Sequence, residues 1–148
     1  MKHLLILVFA GLLGTAATAQ ESKVPQEPVL DVRPASEVSL DDFLWLNRLI
    51  IVFADSERDP VFQEQMELLA ERPQDLLERD VIVITDTDPK NPSGIRDKLH
   101  PRGFGLVFID KDGVIKLRKP SPWDVREISR SIDKTELRQQ ELREERAR

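Results

Sequence analysis

The sequence contains no cysteine, two histidines, two tryptophans and 5% aromatic residues in all. Without thiols there is no disulfide staple and no thiol chemistry, so the core must hold by packing alone. Positive charge is also short. Lys and Arg number 22 against 27 Asp and Glu, a formal −5, and nothing in that balance attracts phosphate backbones or anionic lipids, which excludes nucleic acid as a partner. Past the first residues no apolar run approaches the ~20 residues of a membrane span. At 148 residues the chain has no room for a second domain.

What is present begins with an export signal. Lys2 and His3 form a short basic region, Leu4 to Leu13 an apolar stretch, and Ala17 and Ala19 the small-residue pattern of a signal-peptidase site, with cleavage expected after Ala19. Loss of Lys2 makes the charge one unit more negative. No cysteine follows the cut, so a lipid anchor is excluded, and no membrane span remains after cleavage. The mature protein is therefore expected to be periplasmic or secreted.

The rest divides into a leader over 20–38, a domain over 39–133 and a charged helical tail over 134–148. The leader carries Pro25, Pro28 and Pro34 with neither helical nor strand period, and reads as an extended tether. "SLDDFLWL" predicts a short helix capped by Ser39 with Asp42 three residues on, placing Phe43 and Leu46 on one face. "LIIVFA", 49–54, is an unbroken apolar run that suits a strand buried on both faces. Asp59 and Pro60 open a helix with Val61, Met66, Leu68 and Leu69 as its apolar contacts, and Pro73 ends it or starts a second short one.

"DVIVIT", 80–85, is the second buried strand, so the two strands and the intervening helix form a parallel βαβ unit. A polar loop follows, then a short helix started by Ser93. "GLVFID" and "GVIKLRK" flank a turn closed by Gly113 and read as a hairpin. "SPWDVREISRSID" predicts a last packed helix with Ser121 as cap, and the tail reads as solvated, with pairs such as Glu144 with Arg148. The expected order is β-α-β-α-β-β-α in an α/β class fold.

That order resembles the thioredoxin core: three layers, α/β/α, around a mixed sheet. Laid on that pattern, Arg58, Asp59, Pro60 and Val61 fall where the redox C-G-P-C would be, and Gly105 of "GFG" falls at the position of the cis-proline. Both redox hallmarks are missing. More closely, the chain resembles a cysteine-poor thioredoxin-like family of unknown function, found as stand-alone exported bacterial proteins and as a domain of extracellular sushi-repeat proteins. The resemblance covers about residues 40–143 and rests on Trp45, Asn47 and Arg48, on "VFADSERDP", on "GFGLVFIDKDG", and on "ID" with "LRQQELR". It implies a fold and a compartment, and no reaction.

Candidate chemistry is sparse. Asp55, Glu57 and Asp59 alternate through one loop, yet such solvated carboxylates hydrate rather than split their pKa values, and Asp59 suits a helix cap. His100 is the one histidine left after cleavage and would meet Ser56 and a carboxylate as a triad, but no "GxSxG" elbow frames Ser56. Asp86, Asp88, Asn91 and Gly94 fail the calcium-loop spacing, because Asn91 occupies the sixth position where glycine is needed. No catalytic residue, metal ligand or cofactor is assigned.

The function these readings favour is a redox-inactive binding or accessory module with a protein or peptide partner. Its expected binding face is made by Arg58, Arg102, Phe104, Gly105 and Trp123, because thioredoxin-like domains grip extended partners where the helix-opening loop meets the loop before the third strand. Two alternatives stay open: a non-redox hydrolase or transferase using the 55–60 loop with His100, and a structural subunit docking through the tail.

Overall fold

The computed structural model describes residues 26–148. The expected export signal, its expected cleavage site and the first residues of the leader lie outside them. Strands β1 (Val32–Pro34), β2 (Arg48–Phe53), β3 (Val81–Asp86), β4 (Gly105–Ile109) and β5 (Ile115–Lys119) form one five-stranded sheet in the order β1-β3-β2-β4-β5. β3 runs parallel to both β1 and β2, while β4 is antiparallel to β2 and to β5. The sheet is mixed, as expected.

The unbroken apolar sequence of β2 reflects its central place, since every one of its residues is buried. Ile50 and Val52 face a cluster built with helices α1 (Pro60–Glu71), α2 (Pro73–Leu77) and α4 (Val125–Asp133). Leu49, Ile51 and Phe53 face a second cluster with α3 (Gly94–Leu99) and two 3-10 turns at Ala35–Glu37 and Leu40–Phe43. Three layers result. Each such side chain removed from water contributes about 1.5–3 kcal/mol, and with no staple available this burial is the main term favouring the fold.

Local signals set the helix starts. Asp59 Oδ1 accepts from the Val61 N–H at 2.9 Å and Pro60 takes the first helical position of α1. Ser93 Oγ accepts from the Arg96 N–H at 2.9 Å, and Ser39 with Asp42 makes a reciprocal capping box. In the hairpin, Gly113 has φ +79, a left-handed turn conformation that glycine adopts without strain.

Four expectations need correction. The leader is not free of regular structure: Val32–Pro34 pairs with Val83 to Thr85 as an edge strand. Its side chains are exposed, so it carries no apolar pattern, and Pro34 is tolerated because an edge leaves N–H groups unpaired. Leu46 does not share the burial of Phe43; it is 65% exposed. α4 starts after Ser121 and Pro122, with Asp124 as cap accepting from the Glu127 N–H at 2.8 Å. The reason is a clamp: fully buried Gln65 donates to the Trp123 carbonyl at 2.8 Å and accepts from the Trp123 N–H at 2.9 Å, which takes that backbone out of the helix.

The fourth correction is the tail. Residues Glu136–Arg146 form α5, and it packs against the body through charged side chains, with Arg138 buried, rather than standing solvated. Its sparse leucines gave no packing signal because the contacts are ionic.

Candidate functional site

β2 ends at Phe53, which pairs in register with Gly105 at the start of β4. The loop leaving β2 therefore begins beside the position that the fold resemblance assigns to the cis-proline. Within the loop, Ser56 Oγ accepts from the Arg58 N–H at 3.1 Å and the Ser56 carbonyl accepts from the Asp59 N–H at 3.2 Å. The Asp59 carboxylate serves the helix start, where unsatisfied N–H groups and the helix dipole favour a negative group. A capping carboxylate thus occupies the place a reactive thiolate would need.

A buried ion pair braces this loop from below. Arg96 Nε donates to Asp86 Oδ1 at 2.8 Å, and Arg96 Nη2 donates to the carbonyls of Ala54 and Asp86, each at 3.0 Å. Ser93 Oγ donates to the other carboxylate oxygen at 2.6 Å, and the guanidinium lies 5.4 Å from the centre of the Phe53 ring. Asp86 is therefore a structural anchor for the carboxyl ends of β2 and β3. Nearby Asp88 accepts from Asn91 Nδ2 at 2.9 Å, a bond that holds its carboxyl below the usual range.

The expected site residues fall into two neighbouring concavities. Arg102, Phe104 and Gly105 line one of about 220 Å³ together with His100, Arg118 and Lys119. Arg58 and Ser56 line another of about 410 Å³, with Asp55, Glu57, Asp88 and Lys90. Ser56 and His100 thus do not share a concavity. The geometry does not assemble the triad. A side chain at Gly105 would meet no atom within 4 Å, so the backbone there is open to approach.

Phe104 and Trp123 are half-buried and pack on the cluster beneath α1 and α4. Trp123 does not line the 220 Å³ groove; it is reached only through Lys119, whose Nζ stands 4.3 Å from its ring centre. Arg118 Nη1 donates to the Leu99 carbonyl at 3.0 Å, tying β5 to the end of α3. The groove lining carries Arg102, Arg118 and Lys119 and no carboxylate. Arg118 and Lys119 were not among the expected site residues. The polar residues of an edge strand were their signal, and it reads equally as an ordinary solvated edge.

The opposite pole holds an ionic network that the sequence did not suggest. Arg48 and Asp110 are both fully buried, with Arg48 Nε 2.9 Å from the carboxylate. The contact is ionic rather than an aligned hydrogen bond, and Asp110 Oδ2 has no partner. Glu141 of α5 takes both Arg48 Nη1 and Nη2 at 3.1 Å and also accepts from Lys111 Nζ at 2.7 Å and Arg138 Nη1 at 3.0 Å. Burial opposes the charged form of Glu141 most strongly of any single influence, but the bonds from Lys111, Arg48 and Arg138 together outweigh it and lower its pKa to about 2. Lys111 is held the opposite way: burial disfavours its charge, yet Asp80 and Glu141 raise it above its ordinary value.

The sheet order, the two covered faces and the loop between β2 and α1 define a thioredoxin-like domain. Its resemblance to solved structures is of that kind. The chain matches a chloroplastic thioredoxin z with a TM-score of 0.53 at 20% identity, over 72% of this chain and 98% of that one. It matches the reduced 2-Cys peroxiredoxin of Plasmodium vivax with a TM-score of 0.53 at 18% identity, over 65% of this chain and 81% of that one. At such identities the likeness shows the fold alone, and the thiols that name those proteins' chemistry have no counterpart here. The chain belongs to the family described as Domain of unknown function (DUF4174), which matches residues 39–141. No curated protein matches it.

Proposed function

We propose that this chain is an exported, non-redox binding module that holds an extended, acidic polypeptide segment in the groove between the loop before β4 and the end of β5. The observation that carries this is the lining itself: Arg102, Arg118 and Lys119 with Phe104 and Gly105, and no carboxylate among them, on a protein whose net charge is −5. A locally positive groove on an acidic protein selects and orients an acidic segment. Phe104 supplies apolar contact, and the missing side chain at Gly105 leaves room for an extended chain to lie close. Export is supported by the Lys2 to Ala19 pattern.

The test uses a fluorescently labelled peptide of alternating Glu and Phe, its Lys-for-Glu counterpart, and fluorescence anisotropy. The acidic peptide binds and the basic one does not, with affinity falling as salt rises. Arg102→Ala with Arg118→Ala weakens binding by about tenfold or more, the effect of losing roughly 1.4 kcal/mol. Arg58→Ala leaves it unchanged, because Arg58 lines the other concavity. Equal binding of both peptides, or no loss in the double variant, would refute the proposal. Localisation is checked separately: mass spectrometry of the exported protein should find Gln20 first.

A further inference from the structure

Trp45 has a backbone φ of +63 and is 67% exposed. For a residue this bulky the left-handed region is a true outlier, costing about 1–2 kcal/mol that glycine would avoid. The turn is pinned by the Trp45 N–H, which donates to the Lys111 carbonyl at 2.7 Å, a bond any residue would make. With two thirds of the residue in solvent, little of the indole is spent on the fold. A strained, exposed tryptophan points to a role for its side chain outside the fold.

Its surroundings are apolar. Leu44, Leu46, Val114 and Ile115 are each between 38% and 65% exposed, and together with Trp45 they make up most of the large apolar side chains that the described residues leave in solvent. Immediately beside Trp45, Leu44 and Asn47 line a cavity of about 360 Å³ floored by Phe43, Leu49, Leu99 and Ile109. One face thus carries both an aromatic protrusion and a hole of the size that receives one. Its rim bears Asp41 and Asp112 against Lys98, so the same patch holds both signs of charge.

We propose that two copies of this chain associate at this pole about a two-fold axis, each inserting Trp45 into the cavity of the other. A protrusion and a receptor on a single surface are what a two-fold contact requires, because each residue pair is then made twice. The mixed rim fits the same occupant, since a surface bearing both signs of charge can answer its own charges across a two-fold axis. A carboxylate-bearing rim does not suit an anionic lipid surface. The buried aromatic anchor, ringed by polar groups that exclude water, is the usual centre of binding energy. The groove near Gly105 lies at the other end of β4 and stays open in the pair.

The test is sedimentation of the purified protein over a loading series of about 1–100 µM, which brackets the micromolar dissociation expected of a modest interface. The expected result is a monomer–dimer equilibrium accompanied by a blue shift of tryptophan emission as the dimer forms, retained when Trp123 is replaced by Phe. Trp45→Gly should weaken association at least tenfold while the melting temperature stays or rises, since glycine relieves the turn. Leu46→Glu should act likewise without touching the cavity floor. A wild-type monomer throughout the series, or a dimer undiminished in Trp45→Gly, overturns the proposal, and neither result bears on the acidic-peptide groove.

Discussion

Arg48 opens the central strand with a guanidinium that has no exposure at all, and its partners are Asp110 and Glu141. A lone buried charge is far more costly than a satisfied pair, so removing one side of the pair should do more harm than removing both. Arg48→Met is expected to cost about 3–5 kcal/mol, because it strands the Asp110 carboxylate, whereas Arg48→Met with Asp110→Leu should recover most of that loss. Urea unfolding of the two variants checks this, and a double variant no more stable than the single one would contradict it. Asp59 illustrates the contrast in legibility. Its role is local, readable from the Asp-Pro step, and Asp59→Ala should cost about 1 kcal/mol by the same measurement. Gln65, Arg48 and Arg96 were silent in the sequence because a buried polar residue is recognised by its partner, and Trp123, Glu141 and Ala54 lie far along the chain.

Among the elements, the five with strong apolar content or clear caps were legible: the two central strands, α1, α3 and the hairpin. β1 and the packing of α5 were not, since neither carries an apolar face; that the tail is helical was legible. α5 is clasped by charge, and this gives it a distinct acid response. The carboxyl of Glu141 is held at about 2, below its ordinary 4.5. A depressed carboxylate contributes stability that is fully present above its unfolded-state pKa and is lost as pH falls toward the folded value. Between about pH 4.5 and 2 the attachment of α5 should therefore weaken, with a loss of about 1–2 kcal/mol after allowance for screening of a partly exposed group. Hydrogen exchange over Glu136–Arg146 at pH 5 and pH 3 checks this against Glu141→Gln, in which the step should vanish.

At the scale of the molecule, the residues that carry the family resemblance separate by pole. "VFADSERDP" and "GFG" border the grooves near the carboxyl end of β2, while Trp45, Asn47, Arg48, Lys111, Asp133 and Glu141 gather at the other end. The fold and the place of the thiol-free loop were legible because strand order follows from buried runs and caps. The far pole was not, because no spacing rule links positions so distant.

Glu141 stands 93 residues beyond the Arg48 whose charge it answers. A chain emerging in order from its amino end must hold the guanidinium of its first central strand unanswered by that carboxylate until α5 has appeared. Clasping of this pole thus waits on α5, and a fragment ending at Lys134 should remain digestible by a protease under conditions where the full chain resists. A fragment as resistant as the whole would break that link.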